Sequence, residues 1–264
     1  MKLVMPPKEF PLAGILERVQ KAVSQDPSWH PLKHFLKEQD TPDRRRGIIG
    51  IHPSDLSKEC DRALAYSLVK AKRVRHELDP LTIRIFDHGH LLHTMVQGYL
   101  YEAKELGFIE DFQAEVPIHA PTIPLVGTMD GKLKVGGNWY AIEIKSAGPS
   151  TFYGSKNIAT SKSIIGTARK WHRWQFHAYM LAAGIEAGFY IYYDKACDLV
   201  RCIWEPFNPD IWKAPRMAIE FANQMVDKKI LPAKTKNNRY CPNCPYYDIC
   251  EKDVGIVEAD RRKA

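Results

Sequence analysis

Apolar and polar residues alternate with a period of two over residues 126–135 and 138–146, and the two runs are separated by Gly136-Gly137. A Gly-Gly pair between alternating runs predicts a β-hairpin with a two-residue turn. In that register Val135 faces Asn138 and, counting outward, Asp130 faces Glu143. The same period puts Asp130, Glu143 and Lys145 on one side of the ribbon. Met129, Leu133, Val135, Tyr140, Ile142 and Ile144 fall on the other side, which is apolar enough to lie on a core. Elsewhere the period lengthens to that of a helix. This holds for residues 10–23, for 83–106 with Ile85, Leu92, Val96, Tyr99 and Leu100 as its stripe, and for 169–184 with Trp171, Trp174, Ala178 and Leu181. Residues 210–226 follow suit with Ile211, Ala214, Met217, Ala218 and Phe221. The helix over 83–106 is expected to pack across the sheet. Residues 112–118 read as a strand, and 189–194 with 199–204 as an alternating pair around a turn at 195–198. A short apolar segment after Arg44-Arg45-Arg46 is strand-like, and residues 52–56 read as a helix start with Ser54 capping the turn that delivers Cys60.

These elements predict an α/β protein in which a central mixed sheet is flanked by helices. The expected organisation is a helical N-terminal lobe over 1–80, a core over 81–230 and a cysteine-rich C-terminal tail over 231–264. With 264 residues, 45% hydrophobic and 26% charged, the composition is that of an ordinary globule able to bury a sizeable core. Thirty-eight basic against 31 acidic residues give a net charge of +7, which favours polyanionic partners. The surplus gathers at 44–46, 70–75 and 228–236, either as a phosphate-facing surface or as solvated faces and a tail. No apolar run approaches the length of a membrane span, and the start MKLVMPPKEF lacks the apolar core of a secretion signal. A cytoplasmic location is the expectation, with no membrane partner. The six cysteines are then expected to be reduced, metal-bound or cluster-bound rather than paired as disulfides.

Two carboxylates at cross-strand distance repel each other unless a cation sits between them. A hard divalent ion suits the position: Mg²⁺ takes oxygen ligands and keeps several waters, so Asp130, Glu143 and the carbonyl of Ile144 could hold one. Lys145 beside it could orient or deprotonate a water, or offset charge on a phosphate. That is phosphodiester hydrolysis. A surface hairpin with mixed charges on its polar face fits the spacing equally well.

The run Gly127-Thr-Met-Asp130 followed by Glu143-Ile-Lys145 resembles the core of the PD-(D/E)XK nucleases. Gly89-x-x-x-His93 and Gln175-x-x-x-Tyr179 narrow the likeness to the RecB-like branch. Cys60 far upstream, with Cys241-x-x-Cys244 and Cys250 near the end, is similar to the iron-sulfur nucleases of the AddB type and of CRISPR adaptation. Together these motifs cover residues 50 to 251 in the family's order. The resemblance implies a restriction-endonuclease-like core and a catalytic set of Asp130, Glu143, Lys145, Gln175 and Tyr179. It implies a metal set of His93, Asp130, Glu143 and Ile144; an imidazole ligand would make Mn²⁺ as acceptable as Mg²⁺. Gln175 would bond the catalytic acid or lysine or the substrate phosphate, with Tyr179 supporting from behind it.

Three cysteines within 241–250 leave a tetrahedral site one ligand short, and Cys60 could supply the fourth. Zinc and a 4Fe-4S cluster both accept four thiolates; the resemblance favours the cluster, with structural Zn²⁺ as the alternative. Cys60 taken alone would read as a buried thiol, and Cys197 and Cys202 match no motif. His88 and His90 read as satisfied polar residues, and Glu115 as a solvent-facing strand glutamate in preference to one lining the cleft. Residues 147–167, with Phe152 and Tyr153, are either a loop that meets nucleic acid or a plain connection.

The implied activity is metal-dependent DNA hydrolysis in recombination, repair or replication, exonucleolytic on single strands or DNA ends. A structure-specific endonuclease, or a processing subunit in a recombination or CRISPR-type assembly, would use the same residues. A non-catalytic DNA-binding module is the remaining alternative, against which the intact Asp130, Glu143 and Lys145 argue.

Overall fold

The computed structural model describes residues 10–26, 28–29, 50–73, 79–120, 122–148, 168, 170–195, 200–235 and 240–252. The basic run at 44–46, the aromatic pair Phe152 and Tyr153 with most of the 147–167 segment, and Cys197 lie outside them. Five strands form one mixed sheet in sequential order: β1 (Asp111–Ala120), β2 (Leu125–Val135), β3 (Asn138–Ala147), β4 (Ala187–Asp194) and β5 (Val200–Pro206). All neighbours are antiparallel except β3 and β4, which are parallel and joined by a crossover through helix α4 (Lys170–Ala183). The expected α/β architecture with a helical N-terminal region is what forms. The hairpin register is as the alternation predicts, with Val135 opposite Asn138 and both Gly136 (φ 56°) and Gly137 (φ 77°) in the left-handed region that such a tight turn requires.

One face of the sheet is covered by α1 (Leu12–Val23) and α3 (Pro80–Glu105); Leu16, Val19, Val96 and Leu100 pack there with Ile142, Ile144, Phe189 and Ile191. The other face carries α4, whose Phe176 and Met180 pack with Ala141, Tyr190 and Tyr192. Outside α4 lies a further layer, α2 (Asp61–Leu68) and α5 (Pro209–Asp227), with Leu64, Ala178, Trp212 and Ile219 in one cluster. A short helix, α6 (Tyr247–Glu251), lies beyond Cys241 and Cys244 and carries Cys250.

Several elements depart from the expected pattern. The exposed and buried sides of α5 are exchanged: Trp212, Pro215, Ile219, Ala222 and Val226 are buried, whereas Met217 and Phe221 are exposed. Both stripes have helical spacing, and Pro215 disguises the buried one because a proline inside a helix reads as a breaker. Only the second half of α3 packs on the sheet; Leu81, Ile85, Phe86 and Leu91 in the first half are exposed. The helix nonetheless starts cleanly, since Asp79 accepts from the Leu81 and Thr82 amides and Pro80 occupies the first turn. Ser54 does not cap; it lies inside a 3₁₀ turn (Pro53–Lys58) that has His52 at its cap position and no side-chain cap bond.

The departure that matters most concerns Met129. By alternation it belongs with Leu133, yet it packs with the α4 cluster while Leu133 packs with the α3 cluster. Its neighbour strand does the same: Phe112 and Ala114 pack on the α3 side, Val116 and Ile118 on the α4 side. Both strands therefore change faces between the pairs Ala114/Gly131 and Val116/Met129, and the intervening pair Glu115/Asp130 is missing from the ladder. Glu115 sits at φ 49°, and one left-handed residue in a strand breaks the two-residue alternation as a bulge does.

Candidate active site

Asp130 lies at this break. On its other side the β2/β3 ladder also ends, at Gly131 opposite Ile142. The carboxylate fills the gap: Asp130 Oδ2 accepts from the Ile144 amide at 2.7 Å, in place of a backbone carbonyl. Asp130 is thereby drawn to β3, close to the Glu143 and Lys145 side chains that the same strand carries on its α4 face. The expected convergence of the three groups is present, although by a less regular route than strict alternation.

Glu143 is fully buried. Its Oε1 meets the Lys145 ammonium, and apart from that ion pair neither carboxylate oxygen has a hydrogen-bond partner among the described residues. Burial, seconded by the Asp130 charge, pushes the Glu143 carboxyl up to about 7 against the pull of Lys145. Burial likewise raises Asp130 to about 6, opposed by Lys145 and the Ile144 amide and assisted by the nearby Glu115. For Lys145 burial acts downward, but the charges of Glu143 and Asp130 outweigh it and the ammonium is held above its ordinary value. The site thus has more negative than positive groups, and its acids are costly to ionise without a further cation.

Two helices close over these strands. From α3, His93 places Nδ1 3.6 Å from Asp130 Oδ1, and burial followed by the Lys145 charge lowers its pKa, which keeps the ring neutral. Gly89, one turn earlier, passes close to Ser146 at the end of the lysine strand. From α4, Gln175 Oε1 accepts from Lys145 Nζ at 3.4 Å and Gln175 Nε2 donates to Tyr179 Oη at 3.4 Å. Tyr179, raised mainly by burial, stays a neutral phenol, and its ring lies against Gly127 of the Gly-Thr-Met-Asp run, where an added Cβ would come within 3.5 Å of it. His93, Asp130, Glu143, Ile144, Lys145, Gln175 and Tyr179 are thus gathered around one locus. Among the described residues no three His, Cys, Asp or Glu side chains already close around a single point at ion-binding distance. Lys145 holds the position beside Glu143.

One participant, Gln97, escaped the sequence reading. Glu115 is exposed, as a solvent-facing strand glutamate is, and borders the site as well: it accepts from Gln97 Nε2 at 2.9 Å and acts electrostatically on Asp130, His93 and Tyr179. Gln97 also donates to the Asp130 carbonyl at 2.8 Å. The available signal was its spacing, four residues after His93 and hence on the same side of α3. His88 and His90 are exposed, and His90 acts electrostatically on His93.

A second locus lies in the tail. Cys60, Cys241, Cys244 and Cys250 line one cavity of ≈ 260 Å³ together with Arg62, Tyr66 and Tyr246. Cys60 is the cap residue of α2 and its sulfur accepts from Thr235 Oγ1 at 3.6 Å. Tyr246, buried between the last two cysteines, ties the tail to α2 through Ser67 Oγ (3.0 Å) and to Arg73 Nε (2.8 Å). Burial raises Cys244 and Cys250, each of which also feels the charge of Cys60. Cys202, in β5, is remote from this cavity and is pushed up to about 12 by burial.

No helix among the described residues is long and apolar enough to cross a membrane. No family model and no curated protein matches the chain. Among solved structures it is similar to SSO0001, at 18% identity and a TM-score of 0.43 over 92% of this chain and 98% of that one. It is also similar to an alkaline exonuclease (LHK-Exo) from Laribacter hongkongensis, at 16% identity and a TM-score of 0.46 over 69% of this chain and 89% of that one. The same exonuclease in complex with dAMP aligns at 14% identity with a TM-score of 0.46 over the same shares. At these values the backbones correspond only loosely, and function has to be read from the chemistry of the site.

Proposed function

We propose that the chain is a divalent-metal-dependent deoxyribonuclease that hydrolyses phosphodiester bonds, acting as an exonuclease on single strands or DNA ends. The observation that carries this reading is the buried Glu143 carboxylate, with one oxygen on Lys145 and the other without a hydrogen-bond partner, beside an Asp130 whose carboxylate is anchored on the Ile144 amide. A buried acid left in this way fits a cation ligand, since an unpaired buried polar atom is otherwise a pure cost. Asp130, Glu143, the Ile144 carbonyl and the neutral His93 would hold Mg²⁺ or Mn²⁺, a donor set of oxygens with one imidazole. Bound there, the ion would supply Lewis-acid stabilisation of phosphate charge and make a water more acidic.

The protein's own groups divide the remaining work. In the metal-free protein the charges of Glu143 and Asp130 hold Lys145 protonated, which suits a hydrogen-bond donor to phosphate oxygen or water. Gln175 keeps the ammonium in place, and Tyr179 orients Gln175. The four cysteines face one cleft, which supports reading them as a soft tetrathiolate site for a 4Fe-4S cluster, with structural Zn²⁺ as the alternative. Its place between α2 and the tail suits a structural staple.

End-labelled single- and double-stranded DNA, each with one end blocked, and covalently closed circles test the reading in Mn²⁺ buffer. Cleavage is expected from free ends only. Lys145→Ala is expected to lose cleavage while retaining DNA binding, and Asp130→Ala to lose Mn²⁺ binding by calorimetry. Circles cut as fast as linear DNA would establish an endonuclease instead, and full turnover by Lys145→Ala would overturn the site.

A further inference from the structure

We infer that Gln97 is a positioning residue for Asp130, and that Glu115 is the acceptor that orients it; this rests on the nuclease reading of the Asp130 site. Asp130 is the one residue at which the described ladder is interrupted on both sides, toward Glu115 in β1 and toward Glu143 in β3. An interruption of this kind strips backbone groups of their partners and would leave the residue loose. Two side-chain bonds replace what is lost. On the β3 side the Asp130 carboxylate takes the Ile144 amide; on the β1 side the Gln97 amide nitrogen gives one hydrogen to the Asp130 carbonyl and the other to Glu115 Oε1. Both acceptors are oxygens, so only the amide orientation with Nε2 facing them is chemically possible.

The choice of residue has a reason. Gln97 is 2% exposed and must satisfy two acceptors from one atom. A lysine or arginine would do so but would add a positive charge beside Asp130 and compete with a divalent ion. A neutral amide holds the carbonyl and leaves the negative potential of Asp130 and Glu143 intact. Glu115 adopts a left-handed backbone, a conformation that costs a non-glycine residue free energy, and its bond to Gln97 is the interaction that turns its carboxylate to the site. Because both strands exchange faces at this pair, the bridge fixes where the exchange falls and hence which way Asp130 points.

The test pairs Gln97→Met, similar in volume but without donors, with Glu115→Gln, which still accepts, and Glu115→Ala, which does not. The first readout is hydrogen exchange of the Ile144 amide in metal-free protein labelled with ¹⁵N-isoleucine, using Ile142 and Ile191 as internal references. Gln97→Met is expected to speed exchange at Ile144 by at least about 10-fold while the references hold, because its acceptor, the Asp130 carboxylate, is no longer fixed. The second readout is cleavage, where kcat is expected to fall by at least about 10-fold with KM for DNA within about 2-fold, the mark of a displaced reacting group rather than of lost binding. Glu115→Gln should leave the Ile144 amide exchanging as in wild type, and Glu115→Ala should fall between wild type and Gln97→Met. Wild-type exchange at Ile144 in Gln97→Met, or equal acceleration of the reference amides, overturns the inference. So does a Glu115→Gln as damaging as Glu115→Ala, which would make charge, not acceptance, the contribution of Glu115. Should Gln97→Met not fold, the two variants of the exposed Glu115 decide the matter alone. Should the wild type cut no DNA, the nuclease reading fails while the Ile144 amide still reports on the bridge.

Discussion

Replacing Glu143 by glutamine should make the metal-free protein more stable at pH 8 and much less so at pH 5. The glutamate is fully buried, and its carboxyl is raised from 4.5 to about 7 by burial and by Asp130 despite the Lys145 ammonium. Between those two values the folded state holds a proton that the unfolded chain has lost, so stability falls as pH rises through the interval and the loss is complete above about 7. At about 1.4 kcal/mol for each tenfold change, ionising this group in the folded protein costs roughly 3 kcal/mol, an upper figure because the strands can relax. A glutamine carries no such cost at any pH and can still accept from Lys145. Urea unfolding followed by tryptophan fluorescence at pH 5 and pH 8, in chelator, gives the difference directly, with a gain of about 1–3 kcal/mol expected at pH 8 and about a quarter of that at pH 5. With Mn²⁺ at about 100 times its dissociation constant the wild type should gain about 2.7 kcal/mol by mass action, and the variant much less. A variant that is less stable than wild type at pH 8, by more than at pH 5, would refute the reasoning. It would mean that the ion pair with Lys145 outweighs the burial of the carboxylate.

The remaining predictions concern the scaffold. Ile219→Ala should destabilise by about 2–4 kcal/mol, as truncation of a buried aliphatic does, whereas Met217→Ala on the same helix should stay within about 0.5 kcal/mol because Met217 is exposed; equal effects in thermal melts would contradict the assignment of the α5 faces. Cys241→Ala or Cys60→Ala should give a colourless, poorly soluble protein whose folded fraction still cleaves DNA. Losing a link between residues so far apart in sequence costs several kcal/mol, on the order of a long-loop crosslink, and none of these cysteines belongs to the hairpin. Anaerobically purified wild type should be brown; a colourless wild type with stoichiometric zinc would replace the cluster but keep the staple, and four free thiols would remove both.

What the sequence by itself determined is local. The hairpin register follows from a period of two and a Gly-Gly turn, both set by neighbours in the chain, so Val135 faces Asn138 as the alternation requires and the acids of β2 and β3 come within reach of one another. The spacing of Gln175 and Tyr179 on one turn of a helix is local in the same sense, and their hydrogen bond follows. Tertiary structure decided whatever depends on which neighbour lies across a gap. Both stripes of α5 have helical spacing, and only the packing of α2 and α4 against Trp212 and Ile219 selects one. The alternation along β1 and β2 predicts continuous faces, but Glu115 breaks it, and the break persists because Gln97, delivered by a helix that precedes both strands, bonds across it. No periodicity encodes that contact, since its partners lie 18 and 33 residues apart and meet only once α3 has packed on the sheet. The same holds for Cys60, whose place beside Cys241, Cys244 and Cys250 depends on the tail folding back onto α2 through Tyr246.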